Sequence, residues 1–194
     1  MDKAARTKKF IIEKSAFLIN KKGMAGTSLS DIMEVTQLAK GGIYGNFNSK
    51  EEICLESFSY LVNTLSNQMD KAIIAGGNTA KEKFFALLDF YSSNKTTEGG
   101  CPMLNFGTES DDTNPKMRAR VKTAIREMQN KIYHLINAGV ANNEISAKID
   151  PKTFSIRVFA LLEGGILCKR VLGINDQMKV IIEAIKREFE SYLL

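Results

Sequence analysis

Residues 27–50 read Thr-Ser-Leu-Ser-Asp-Ile-Met-Glu-Val-Thr-Gln-Leu-Ala-Lys-Gly-Gly-Ile-Tyr-Gly-Asn-Phe-Asn-Ser-Lys. Two short helical patterns lie on either side of a three-residue break. The first opens on Thr27 and Ser28, both good N-caps, carries Asp31 in its first turn, and repeats apolar residues at Leu29, Ile32 and Val35. Thr36, Gln37 and Leu38 interrupt it, and helical spacing resumes over 39–47 with Ile43 and Phe47 inward and Lys40, Gly41, Tyr44 and Asn46 outward. Leu38 is placed to plug the gap between the two helices. This is the outline of a helix-turn-helix, whose second helix can bring its N-terminal end into the major groove of DNA. Gly41 and Gly42 weaken that helix by roughly 1 kcal/mol each relative to Ala, a poor choice unless another surface must come close.

Working outward, residues 3–22 predict a helix with Ile12, Ala16 and Ile19 on one face and Gly23 as its stop, which would brace the pair. On the other side Asn48 and Ser49 offer an N-cap, Lys50 follows, and Glu51 and Glu52 suit the first turn of a long helix. A helix N-terminus carrying Lys50 is a ready phosphate anchor.

Gly23, Gly26-Thr27-Ser28, Asp31-Ile32, Leu38-Ala39-Lys40-Gly41-Gly42-Ile43-Tyr44 and Phe47-Asn48-Ser49-Lys50-Glu51-Glu52 together resemble the N-terminal signature of TetR-family transcriptional regulators. The combined spacing carries the resemblance; no single piece does. It implies that Thr27 or Ser28, Tyr44 and Lys50 touch phosphates, and that Lys40, Gly41 and Asn46 lie at or near base edges. Two positions depart from the family pattern. Gln37 stands where many members have a glycine in the turn, and Gly45 where a second aromatic is common.

Charge points the same way. Residues 1–50 hold nine Lys and Arg against four acids, whereas the remainder balances at 18 against 18, so the whole net charge of +5 sits on the helix-turn-helix segment. That asymmetry is the expected footprint of a polyanion partner. An apolar share of 44% and a charged share of 25% fit a globular protein. No apolar run approaches the ~18 residues of a membrane span. The N-terminal Met-Asp-Lys leads into a basic amphipathic pattern without a small-residue cleavage site, so the cytoplasm is the expected location.

Beyond residue 50 the periodicity predicts six further helices: 50–74, 79–93, a shorter one opened by Cys101-Pro102, 116–142, 151–171, and a ninth capped by Asn175 or Asp176. A polar loop is expected over 94–100. Nothing reads as a strand. The expected fold is all-α, with a three-helix DNA-binding domain at 1–50 and a helical effector-binding and dimerisation domain at 51–194. The nine-helix order matches the family layout, and Gly99-Gly100-Cys101-Pro102-Met103-Leu104-Asn105 to Met117-Arg118 looks like a pattern found in a subset of these regulators.

Phe58, Leu61, Phe84, Leu88, Met103, Phe106 and Met128 form a set that can line a mainly apolar effector pocket, with Asn105 or His134 as polar contacts. Cys101, before a proline at a predicted helix start, adds a thiol favoured as thiolate by the dipole; some similar regulators sense electrophiles or oxidants through a cysteine here. Cys54, Cys101 and Cys168 form no metal spacing and no disulfide framework, and with His134 the lone histidine, a zinc site or a Ser/His/Asp triad is hard to assemble. No cofactor, no metal and no enzymatic activity are expected.

The last two predicted helices are apolar on more than one face, so something must cover them on several sides. In the family this pair builds a two-fold interface, which here assigns Gly164, Gly165, Leu167, Ile181, Ile185 and Phe189 to a homodimer. A two-fold dimer is also what a palindromic duplex site requires. The expectation is therefore a homodimeric repressor on double-stranded DNA, released by a mainly apolar small molecule or a thiol-reactive effector. A helical small-molecule carrier with an incidental basic head is the rival.

Overall fold

The computed structural model describes residues 2–93 and 98–194. Part of the loop expected at 94–100 therefore lies outside the described residues. Among the described residues the chain forms nine helices: α1 (Lys3–Lys22), α2 (Leu29–Thr36), α3 (Lys40–Tyr44), α4 (Lys50–Gly76), α5 (Ala80–Ser92), α6 (Pro102–Ser110), α7 (Pro115–Ala141), α8 (Pro151–Leu172) and α9 (Asp176–Glu190). The described residues contain no strand, only an isolated antiparallel bridge between Ile145 and Leu193. Among the described residues no helix is long and apolar enough to cross a membrane.

Local chemistry explains where the helices start. Asp2 caps α1 by accepting the Ala5 N–H at 2.7 Å. Ser28, not Thr27, caps α2 in a reciprocal box with Asp31, and Thr79 does the same for α5 with Glu82. Asp150 caps α8, whose first residue is Pro151, and Pro102 opens α6 behind Cys101.

The turn between α2 and α3 answers the question raised by Gln37. Its backbone is left-handed, φ +56°, a conformation that favours glycine. The Gln37 side-chain amide donates to the Glu34 carbonyl at 2.7 Å, an end-of-helix acceptor that also takes the Gln37 backbone N–H at 3.4 Å. Regular helix in α3 stops at Tyr44, earlier than the expected 47. The N–H groups of Asn46 and Phe47 still reach the Ile43 carbonyl at 3.0 and 3.1 Å, so the last turn tightens instead of continuing.

The described residues fall into two compact units, one of 2–65 and 98–123, the other of 66–93 and 124–194. The first is packed around Ile11, Ala16 and Ile19 of α1, Ile32 of α2, Ile43, Phe47, and Ile53, Phe58 and Leu61 of α4. Met103 and Phe106 of α6 are buried in the same unit, where the Phe58 and Phe106 rings lie 5.3 Å apart. The core of the second unit gathers Phe84, Phe154 and Phe189. Their ring centroids are 4.6 Å (Phe84 to Phe189), 5.7 Å (Phe84 to Phe154) and 6.2 Å (Phe154 to Phe189) apart.

Candidate nucleic-acid interface

The first unit presents a compact polar face around α3. Lys40, Gly41 and Tyr44 are exposed, Tyr44 to 44%, and the Lys40 ammonium stands 5.9 Å from the centre of the Tyr44 ring. Ile43, one step away, is fully buried and holds the helix down. A Cβ added at Gly41 would meet nothing within 4 Å, so the fold does not need glycine there. The helix accepts the propensity loss of roughly 1 kcal/mol and leaves open space above its backbone. That is the arrangement expected where a partner approaches closely.

The neighbouring residues divide the work. Ser28 is exposed at the start of α2, while Thr27 is fully buried with its hydroxyl donating to the Gly23 carbonyl at 2.7 Å. Of the two candidates for a phosphate contact, the Thr27 side chain is thus spent on the turn. Asn46, read as outward, donates its amide to the Gly42 carbonyl at 2.9 Å. Lys50 is half-buried and gives its ammonium to the Met24 and Thr27 carbonyls, each at 2.8 Å. Both side chains stabilise local backbone before they touch any partner.

Electrostatics tighten the same region. The Lys22 ammonium, 2.6 Å away, holds the Asp31 carboxyl far below the usual carboxylate range, helped by the Ser28 N–H and hydroxyl. The Asn48 N–H, then Lys8, lower Glu52. These carboxylates are committed to internal partners, so the exposed basic residues Lys3, Arg6, Lys21 and Lys40 keep their fields outward.

The family model for bacterial regulatory proteins of the TetR family matches residues 11–56, and the model for the tetracyclin repressor-like C-terminal domain matches 81–185. The chain belongs to the TetR family. It is a helix-turn-helix, DNA-binding transcriptional regulator of a repressor-type family, whose members act on DNA and are not enzymes. A TetR-family regulator from Cytophaga hutchinsonii is 33% identical, with 100% of this chain and 98% of that one covered and a TM-score of 0.92. A TetR regulator from Chloroflexus aurantiacus is also 33% identical over 100% and 98% of the two chains, with a TM-score of 0.93. The HTH-type transcriptional repressor DhaR of Mycobacterium sp. (strain GP1) is 24% identical over 96% of this chain and 97% of its own.

The other TetR-type assignments divide by place. Phe58, Leu61, Cys101, Met103 and Phe106 are all buried in the first unit. Phe84, Leu88 and Met128 are buried in the second, where Phe84 is spent on Phe154 and Phe189. The Asn105 amide donates to Asn20 and Gly99. His134 is exposed beside Tyr133. A groove of about 360 Å³ lies on the surface between α1 and α4, against Lys8, Ile12, Glu56 and Tyr60, and holds none of the expected effector residues. Burial pushes the Cys54 thiol up to about 11.

The residues expected at a dimer interface lie in different surroundings within the chain. Gly165 is buried, and a Cβ there would come within 2.9 Å of Met178, so its smallness serves α8 against α9 inside one chain. Ile185 and Phe189 are core residues of the second unit, and Ile181 is half-buried. Gly164 has open space beside it and Leu167 is 49% exposed. Other apolar residues left outside on or near these two helices include Ile156, Leu161, Val171, Leu172 and Ile174, and Val180 on α9. Val171 is 75% and Val180 66% exposed, values far above those of ordinary core positions.

Proposed function

We propose that this regulator is a repressor that binds a palindromic operator as a homodimer in the cytoplasm and leaves it when a mainly apolar small molecule binds. Residues 1–50 act as the reading head and 51–194 as the effector and dimer body. The observation that carries the reading is the open, unobstructed backbone at Gly41, flanked by exposed Lys40 and Tyr44. Lys40 and Gly41 then meet base edges, and Tyr44 and Ser28 meet phosphates. Asn46 and Lys50 contribute with the donor capacity that their internal bonds leave free.

The homodimer is supported by a stripe on α8 at Leu161, Gly164, Leu167 and Val171, continued by Val180 on α9. An apolar surface of that kind on two adjacent helices is a liability unless covered. A two-fold partner would cover it and present two heads to successive turns of a duplex. The repressor DhaR, similar along its whole length, supports the direction of regulation.

For the effector, Phe58, Leu61, Met103 and Phe106 supply an apolar lining in the first unit. Cys101 is only 4% exposed, which favours a molecule held by apolar contact over one that attacks the thiol from solvent. Such a ligand acts only by binding the non-operator geometry more tightly. Selection of duplexes from a randomised pool tests the reading: it predicts enrichment of a two-fold symmetric sequence carrying an even number of protomers. Enrichment of no sequence overturns it.

A further inference from the structure

The α1–α2 turn is held from two sides by residues far away in the chain. The last carbonyls of α1 and the N–H groups of the turn have no helical partners and must find others. Asn105 of α6 donates its amide to the Asn20 carbonyl at 2.9 Å, to the Asn20 side-chain oxygen at 3.1 Å and to the Gly99 carbonyl at 2.8 Å. Asn20 in return donates to the carbonyls of Glu98 and Gly100 at 2.9 and 3.0 Å. One turn further along α6, Glu109 accepts the Met24 N–H at 2.7 Å with one oxygen and the Ala25 N–H at 2.6 Å with the other.

Asn105 and Glu109 are four residues apart and share a helix face. Two glycines allow the approach. A Cβ on Gly99, φ +92°, would fall 2.8 Å from the Asn20 amide nitrogen, and one on Gly23, φ +82°, 3.1 Å from a Glu109 oxygen. From the opposite side Lys50 takes the Met24 and Thr27 carbonyls. The turn thus has a carboxylate on its N–H groups and an ammonium on its carbonyls, and it runs directly into Ser28, the cap of α2.

We propose that α6 is a strut that sets the pose of the α1–α2 turn, with Asn105 and Glu109 as positioning residues for DNA recognition although neither belongs to the reading surface. The proposal rests on the regulatory reading above. The core of the head, Ile11, Ile19, Ile32 and Ile43, is apolar and fully buried. Hydrogen bonds are directional, so losing these shifts the turn, and with it the placement of α2 and α3, more than it unfolds them.

The test compares wild type with Glu109→Ala, Glu109→Gln and Asn105→Ala on a duplex enriched by the wild-type protein and on a scrambled duplex, with thermal melts and amide exchange over residues 20–28. Glu109→Ala should lose roughly ten-fold on the enriched duplex, the scale of one charge-assisted hydrogen bond, while the scrambled duplex binds as well or slightly better because a negative charge is gone. Glu109→Gln makes the same charge change but keeps one acceptor oxygen, and should fall between. Exchange at Met24 and Ala25 should quicken. Unchanged discrimination in a folded Glu109→Ala protein overturns the proposal. So does an equal shift of both duplexes by Ala and Gln, which would mean that charge alone acts. Should Glu109→Ala fail to fold, unchanged discrimination in Glu109→Gln and Asn105→Ala overturns it equally. A wild-type protein that enriches no duplex overturns the regulatory reading first and this role with it.

Discussion

Lys50, the first residue of α4, donates to the carbonyl of Thr27, 23 positions earlier, at 2.8 Å, and the same ammonium also reaches Met24. A side chain expected to anchor phosphate therefore ties the entry of α2 to the start of α4. Its replacement strands two backbone acceptors at a half-buried site. Lys50→Ala should lower the unfolding free energy by about 1–2 kcal/mol, the scale of a charge-assisted hydrogen bond discounted for partial exposure. Chemical denaturation checks this, and unchanged stability would return Lys50 to a purely DNA-facing role.

Gly41 gives opposite predictions for stability and binding. With open space beside it, Gly41→Ala should stabilise the free protein by up to about 1 kcal/mol through helix propensity. On the proposed reading the added methyl group meets the approaching duplex, and operator affinity should fall. A thermal melt and a duplex titration on the same preparation read both effects. A variant that gains stability and keeps full affinity would show that no partner approaches α3 at this point.

The exposed stripe on α8 and α9 predicts the oligomeric state. Val171→Asp with Val180→Asp places carboxylates at two highly exposed apolar positions, so the monomer fold should tolerate them. A dimer that buries them must desolvate unpaired charge, at a cost of several kcal/mol per ion. Sedimentation at micromolar concentration should show wild-type dimer and variant monomer. Equal masses would place the interface elsewhere.

Acid sensitivity follows from the carboxylates of the head. Asp31 and Glu52 are pulled below their ordinary values of 3.8 and 4.5, Asp31 mainly by Lys22 and Glu52 mainly by the Asn48 N–H. Glu82 and Asp150, both at helix caps, are lowered as well, by Thr79 and Thr153. A folded-state value below the unfolded one means that the unfolded chain binds more protons. The stabilisation is therefore fully present above the ordinary values and is lost as pH falls through them towards the folded ones. Melting temperature should drop steadily as pH is taken from about 5 towards 3, and a flat profile would show that these bonds contribute nothing.

The helix-turn-helix was legible because its signals are short-range: cap residues, three-residue apolar steps and a break can be read within a few positions. Thr27 and Ser28 could not be told apart that way, since both are good caps, and only packing buries Thr27 while leaving Ser28 outside. The helix α3 ends at Tyr44 and not at 47 because the Asn46 side chain takes the Gly42 carbonyl, a choice periodicity does not encode. On α8 and α9 the apolar residues were evident, but their division between core and surface depends on which faces meet. Gly165 turns to Met178, whereas Gly164 one position earlier stays open. Asn105 and Glu109 bond to partners about 85 positions away, beyond any local pattern, and spacing by four along α6 was the only available sign.

The central claim, that a cationic head centred on Lys40, Gly41 and Tyr44 grips duplex DNA, is tested most directly by the salt dependence of binding to a selected duplex. Displacing counterions from about six phosphates predicts roughly a thousand-fold loss of affinity between about 50 and 200 mM salt, with a log–log slope that becomes shallower in Lys40→Ala. Binding that is negligible at the lowest salt, or that does not change across the series, would contradict it.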